Sequence, residues 1–444
     1  MLVRRHMELT KEAGGRGVPP LRAHSRREPA RAVATRPERH SRYNVTSMAS
    51  RGHRDLAGPL GIGILLLIVL ISHIYVPPRV PRGPRLDYEA MADRIVASLA
   101  LEPGETVLMR FDPGHFTELL EPLRRKIRAA GAVDLAGLEY VEIDALNGSS
   151  PALDAHKSLA FERLLESADV YIWLPVRFDV RTTPAAERTA LSAWLDRGGR
   201  RRQVHFHWAQ GSVLADGLAG EHTPDINLIY QAALDVDYGA ISAAQDRAIE
   251  LLRSGTVHVT SPAGTDLRFR VGDRPFNKQD GDASPERMQT AATWIDREIE
   301  LPCGVLRVAP IEESVEGRFV LPQGRFGDTV ARNVTFDFAA GRITAVNASE
   351  GLAAVEAEIE KGGDAARWFR EFGLGFHPGL VAQPGSGILP YFGYGAGVVR
   401  MSLGDNEELN GAVRGDYRRW FFFPDTTVEV EGAALVKDGV LQTP

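Results

Sequence analysis

His205-Phe-His207 sets two imidazoles two residues apart in Arg201–Trp208, a run that reads as a strand. Side chains of a strand alternate faces, so the pair shares a face and could hold a metal ion. A strand-end pair beside a loop explains the same spacing without one. Asp405, Glu407 and Glu408 gather carboxylates after Gly404. Such a group can recruit a cation, but the pattern reads better as a solvated acidic loop. Gly393-Tyr-Gly-Ala-Gly397 is glycine-rich, yet it lacks the strand–loop–helix setting and the lysine of a phosphate cradle. Cys303 is the single cysteine, which excludes an intrachain disulfide and a multi-cysteine metal cluster. It has no identifiable base nearby in sequence and reads as a buried structural thiol. No Ser-His-Asp or Cys-His set can be assembled.

The elements that must position these groups alternate. Helical spacing over Tyr88–Leu101, His115–Ala130, Leu159–Ala168 and Ala185–Leu195 is interleaved with strand-like runs at Glu105–Arg110, Val133–Ile143, Val170–Val176 and Arg201–Trp208. Two more helices are expected at about 225–235 and 240–253. This alternation predicts a parallel sheet covered by helices on both faces. After Ser254-Gly255 the period becomes two, with hairpins around Pro262-Ala-Gly-Thr265 and Ala339-Ala-Gly341, and a closing set of strands over 427–442. Helices are expected there at Glu350–Lys361 and around Asp364–Phe372. A boundary near 254 divides an α/β domain (87–254) from a β-rich α+β domain (255–444).

The 444 residues exceed one ordinary core, and a net charge of −6 does not suggest a nucleic-acid surface. Residues 1–56 hold thirteen Lys and Arg against five acids and show no apolar period, so they read as a disordered basic segment. Met48, just ahead of the apolar run, offers an alternative start. Gly58–Val76 has no Asp, Glu, Lys or Arg over 19 residues, which approaches the ~30 Å of a bilayer core. We read 57–77 as one transmembrane anchor and 78–86 as a stiff Pro-rich linker. Basic residues ahead of the helix outnumber those behind it, which places the N-terminus in the cytoplasm and the body outside, in a bacterium the periplasm.

The body resembles the thermophilic metallo-aminopeptidase family, of the aminopeptidase T or leucyl aminopeptidase type. The resemblance covers most of 87–444 and is strongest from 255 onward. It rests on Gly264-Thr-Asp-Leu267, Pro302-Cys-Gly-Val-Leu-Arg-Val-Ala-Pro310, Ser314-Val-Glu-Gly317, Arg370-Glu-Phe-Gly-Leu-Gly375, Gly397-Val-Val-Arg-Met-Ser-Leu-Gly404, Arg419-Trp-Phe421 and Lys437-Asp-Gly439. It implies the two-domain α/β fold, a homodimer, and a site where clustered carboxylates and imidazoles hold two divalent ions. Dihydroxypyridine dioxygenases share this fold family, but their iron chemistry needs His and Asp ligands that are missing here.

Only Glu371 matches the ligand pattern that the family implies. Val305 stands at the Glu of Pro-x-Gly-Glu-Val, Arg400 at a His, Glu407 at a Tyr, and Arg419 and Phe421 at the His and Asp of His-Trp-Asp. Sliding the last alignment by one puts Trp420 and Phe422 there instead. Valine and phenylalanine bind no metal, and arginine offers only donors and a fixed positive charge. The expectation is therefore no metal at this position, with Arg400 or Arg419 neutralising Glu371, and a binding or scaffolding role for peptides or envelope components. An active hydrolase with a rearranged site, using a divalent pair such as zinc, cobalt or manganese, is the alternative.

Overall fold

The strand Thr106–Phe111 (β1) is buried on both faces: Val107 and Met109 join one apolar cluster and Leu108 another. In the computed structural model, which describes residues 86–139, 151–176, 185–208, 213–214, 224–381 and 388–442, the helices Tyr88–Leu99 and Thr117–Ala129 supply the first cluster. The helices Pro151–Glu166 and Ala185–Asp196 supply Phe161, Leu165, Trp194 and Leu195 to the second. A strand buried on both faces needs apolar residues at nearly every position, which is why Val170–Trp173 (β3) reads Val-Tyr-Ile-Trp. Val133–Glu139 (β2), Arg202–Phe206 (β4) and the short Val213–Leu214 (β5) complete this part, followed by helices Pro224–Ala233 and Tyr238–Arg253.

The period then shortens. Thr256–Thr260 (β6) and Asp266–Arg270 (β7) form the first expected hairpin, followed by Asn277–Lys278 (β8), Glu298–Leu301 (β9) and Val305–Val308 (β10). Glu316–Phe326 (β11), Thr329–Ala339 (β12) and Arg342–Asn347 (β13) form a meander closed by the helix Leu352–Lys361. Phe369–Gly375 (β14), Ile388–Leu389 (β15), Val399–Gly404 (β16), Arg418–Phe423 (β17), Thr427–Val430 (β18), Ala433–Lys437 (β19) and Val440–Leu441 (β20) finish the chain.

Among the described residues three main sheets result. The parallel sheet has the order β2-β1-β3-β4-β9; its fifth strand comes from beyond residue 254. An antiparallel sheet β17-β16-β14-β10-β8 lies next in the chain's logic, and an eight-stranded sheet runs β13-β12-β11-β7-β6-β18-β19-β20. The fold is thus mixed α/β, with one parallel sheet and a β-rich second part. The described residues form one compact unit. The basic segment, the apolar helix and the linker expected before residue 87 fall, Leu86 apart, outside the described residues. Among the described residues no helix is long and apolar enough to cross a membrane.

One expected helix is a strand. Only a short 3-10 turn, Ala365–Arg367, occupies the start of 364–372, and β14 runs from Phe369 with all seven of its residues buried. Its aromatic residues and its two glycines, Gly373 and Gly375, are weak helix formers, and β10 and β16 pair with it on either side. Glu371 therefore sits mid-strand and is fully buried, not at an exposed helix end.

His377 ties the two parts of the body together. Its Nε2 lies 2.9 Å from the Ala233 carbonyl, at the end of the helix Pro224–Ala233, and its Nδ1 accepts from the Gly379 amide at 3.0 Å. Both nitrogens are satisfied only in the neutral ring, and burial, opposed by the Ala233 bond, pulls its pKa down to about 4. The unfolded chain takes up a proton near pH 6.5 that the folded chain refuses. This contribution is complete above about pH 6.5 and drains away as the pH falls toward 4. We expect about 2 kcal/mol of it to be lost between pH 7 and pH 5. Urea unfolding at the two pH values should show it, and His377→Gln should flatten that part of the slope.

Candidate functional site

Strands β14, β16, β10 and β17 carry the residues singled out by the resemblance. Arg307, Gly373, Arg400 and Phe422 stand in one cross-strand row, and Glu371, Ser402 and Trp420 in the next. Around Glu371 the guanidinium groups converge. Arg400 Nη2 lies 2.9 Å from Glu371 Oε1, and Arg307 Nη2 lies 2.9 Å from Oε2. Arg370 Nη1 also donates to Oε2, and the Trp420 indole donates to Oε1 at 3.1 Å. Both carboxylate oxygens are thereby used.

Glu408 is the second anion of this network. Its Oε1 accepts from Arg307 and Arg370 and its Oε2 from Arg418, each at 2.5 Å. Burial alone would raise its pKa, but Arg370, Arg307 and Arg418 together hold it far below the ordinary carboxylate range. Burial and the neighbouring Arg307 pull Arg400 down to about 10, which still leaves it charged at neutral pH. Asp405 is buried too and takes Arg418 Nη2 at 2.8 Å. The expected solvated acidic loop is therefore corrected. Asp405 and Glu408 turn inward because arginines on three strands neutralise them, and only Glu407 is exposed, paired with Arg414 at 3.0 Å.

Arg419 does not reach Glu371. Its Nη1 lies 3.2 Å from Glu358, and its Nη2 donates to the Arg325 carbonyl. Strand alternation is the reason. Arg418, Trp420 and Phe422 line the cavity, whereas Phe421 packs on Phe319 and Phe336 of the neighbouring sheet. Of the two registers open to the family's His-Trp-Asp, the one that faces Glu371 carries Trp420 and Phe422. Val305 is fully buried opposite Gly375.

The metal pair that the resemblance implies does not fit these residues. Glu371 has no oxygen to spare, Arg400 and Arg307 bring positive charge to it, and Val305, Trp420 and Phe422 offer no ligand atom. The glycine-rich 393–397 segment serves packing: a Cβ at Gly395 would come within 1.9 Å of the Leu380 carbonyl oxygen, and one at Gly397 within 2.1 Å of that of Gly439. Cys303 is buried, and burial together with Asp280 pushes its thiol well above the ordinary range, which suits a structural residue.

The same cavity, about 350 Å³, has a second wall built by the parallel sheet. His205 on β4 pairs in register with Glu300 on β9, and His207 follows just past the strand end. His205 Nδ1 lies 3.4 Å from Glu298 Oε1, and the Tyr394 hydroxyl donates to Glu300. Burial alone would lower the His205 pKa, but Glu298 and Glu300 hold it above its ordinary value. His207 stacks on Phe392 at 4.8 Å and is pulled down to about 3 by burial and by His205, so it is neutral. The spacing of His205 and His207 was legible; Glu298 and Glu300 were missed. Their signal was the matching alternation in Glu298-Ile-Glu300, an acid at every second position of a strand.

No protein-family profile matches the chain, and no curated protein matches it in sequence. Solved structures do. The chain is similar to wild-type AmpT from Thermus thermophilus, with a TM-score of 0.56 and 17% identity over 80% of this chain and 98% of that one. It is also similar to 2,5-dihydroxypyridine dioxygenase from Pseudomonas putida KT2440, with a TM-score of 0.56 and 16% identity over 80% of this chain and 97% of that one. At such identities the likeness is one of fold, and the fold is that of aminopeptidase T.

Proposed function

We propose that the protein is a binding or scaffolding module of aminopeptidase T fold whose two-metal peptidase site has been replaced by an arginine–carboxylate network. The observation that carries this is the occupancy of Glu371. Its two oxygens are held by Arg400, Arg307, Arg370 and Trp420, where the family pattern calls for cations. A cavity of about 350 Å³ beside it, with Trp420, Phe422 and Phe392 for apolar contact, suits a peptide or an envelope component of similar size. The apolar run 58–76 supports a single-pass anchor, and the excess of basic residues ahead of it supports a body on the outer, periplasmic side. A hydrolase with a rearranged site is the second reading, favoured by the grouping of His205, Glu298 and Glu300 on the opposite wall.

Aminoacyl p-nitroanilide hydrolysis by the full-length chain, with and without EDTA and with zinc, cobalt or manganese added back, tests the first reading. We expect no chelator-sensitive release, and no hydrolysis from Arg400→His, because Val305, Trp420 and Phe422 still supply no ligand. Chelator-sensitive aminopeptidase activity that disappears in Glu371→Gln would overturn it.

A further inference from the structure

The grouping on the parallel-sheet wall has unused coordinating capacity. His205, Glu298 and Glu300 each offer one ligand atom, and these atoms lie within 4.8 Å of one another. The 3.4 Å between His205 Nδ1 and Glu298 Oε1 is long for a hydrogen bond to a carboxylate. It equals the edge of a tetrahedron of donors about 2.1 Å from a central ion, roughly 3.4 Å. His205 Nε2 is buried with no hydrogen-bond partner, so neither ring nitrogen is well satisfied.

Charge points the same way. Among the described residues no Arg or Lys forms an ion pair with Glu298 or Glu300: Arg307 and Arg400 on the facing wall act on Glu300 only through space and, with Arg418, are bound to Glu371, Glu408 and Asp405. Once His205 gives up its proton to bind an ion, the imidazole and two carboxylates carry two negative charges, which one dication balances. Strand geometry makes the set rigid: β4 and β9 are adjacent and parallel, with His205 opposite Glu300. All three residues are partly open to the cavity, so a fourth coordination position faces solvent or ligand.

We propose that His205, Glu298 and Glu300 bind one zinc-type divalent cation, at a site distinct from the Glu371 position. One imidazole with two carboxylates is a donor set suited to zinc and its borderline neighbours. The open fourth position presents the ion to whatever occupies the cavity, opposite the arginine wall. The inference stands apart from the reading of Glu371: a cation here restores no ligand there.

The test is calorimetric titration of EDTA-stripped, full-length protein with zinc chloride, paired with X-ray absorption of the zinc-loaded wild type. We expect one zinc per chain, a coordination shell of oxygens with at least one imidazole, and affinity weakened more than about a hundredfold by His205→Ala and by Glu298→Gln with Glu300→Gln. His258→Ala, which removes an exposed His–Asp pair elsewhere, and Glu371→Gln should leave the zinc in place. No stoichiometric zinc, an all-oxygen or sulfur shell, or binding indifferent to the site variants overturns the proposal. Zinc lost in Glu371→Gln, with its circular dichroism unchanged, overturns it too and also sinks the reading of Glu371 as metal-free. The absorption spectrum uses unmodified protein, so the test survives any variant that fails to fold.

Discussion

Glu408→Ala should cost about 3–5 kcal/mol of stability, among the largest effects of any single substitution in the body. Glu408 is 5% exposed, and its carboxylate is shared by Arg307, Arg370 and Arg418. Removing it leaves Glu371 and Asp405 to balance four guanidinium groups, including Arg400, in a region with little water. An uncompensated buried charge is expensive because desolvation is no longer offset by attraction. Urea unfolding of the full-length protein measures the loss. The double variant Glu408→Leu with Arg370→Leu should recover part of it, since charge then leaves in a pair; a double variant as unstable as the sum of the singles would contradict this account.

The second large effect lies in the α/β part. Arg202 and Glu105 are both fully buried and paired in a two-pronged geometry, Nη1 to Oε1 at 2.7 Å and Nη2 to Oε2 at 2.8 Å. Arg202 Nη2 also donates to the Leu99 carbonyl at 3.0 Å, closing the end of the first helix, and Glu105 Oε2 accepts from the Glu102 amide at 2.8 Å. Glu105→Ala should therefore cost about 3–5 kcal/mol. Arg202→Lys should also be damaging, because an ammonium cannot reproduce the parallel bonds. If Arg202→Lys unfolds at the same urea concentration as wild type, the fork geometry is not what holds this corner.

How much of this could be read beforehand differs by element. The parallel sheet was legible because a strand buried on both faces must be apolar throughout, and Val170–Trp173 is. The strand Phe369–Gly375 was not, because its buried faces carry Arg370 and Glu371, and charged residues suggest a surface unless their partners are known. Those partners lie far off in the chain, Arg307 64 positions from Glu371 and Glu408 38 positions from Arg370, and are brought close only by sheet pairing. The same limit applied to the acidic segment after Gly404, which looks solvated until Arg418 and Arg370 are placed beside it. Arg400 facing Glu371 could be anticipated from the resemblance; that Arg419 faces away needed the strand's register. His205 and His207 were visible as a pair, but β9, which brings Glu298 and Glu300, follows β4 only after the four strands β5 to β8 and the helices Pro224–Ala233, Tyr238–Arg253 and Pro285–Met288.

The pairing of β4 with β9 reaches beyond the cavity it lines. A chain ended at Ser254 would lack β9, and β4 would show a row of unsatisfied amides and carbonyls together with the apolar Val204 and Phe206. Such an exposed edge invites pairing with a second molecule. The first half of the body therefore cannot complete itself as an independent folding unit, and the two halves gain and lose their order together.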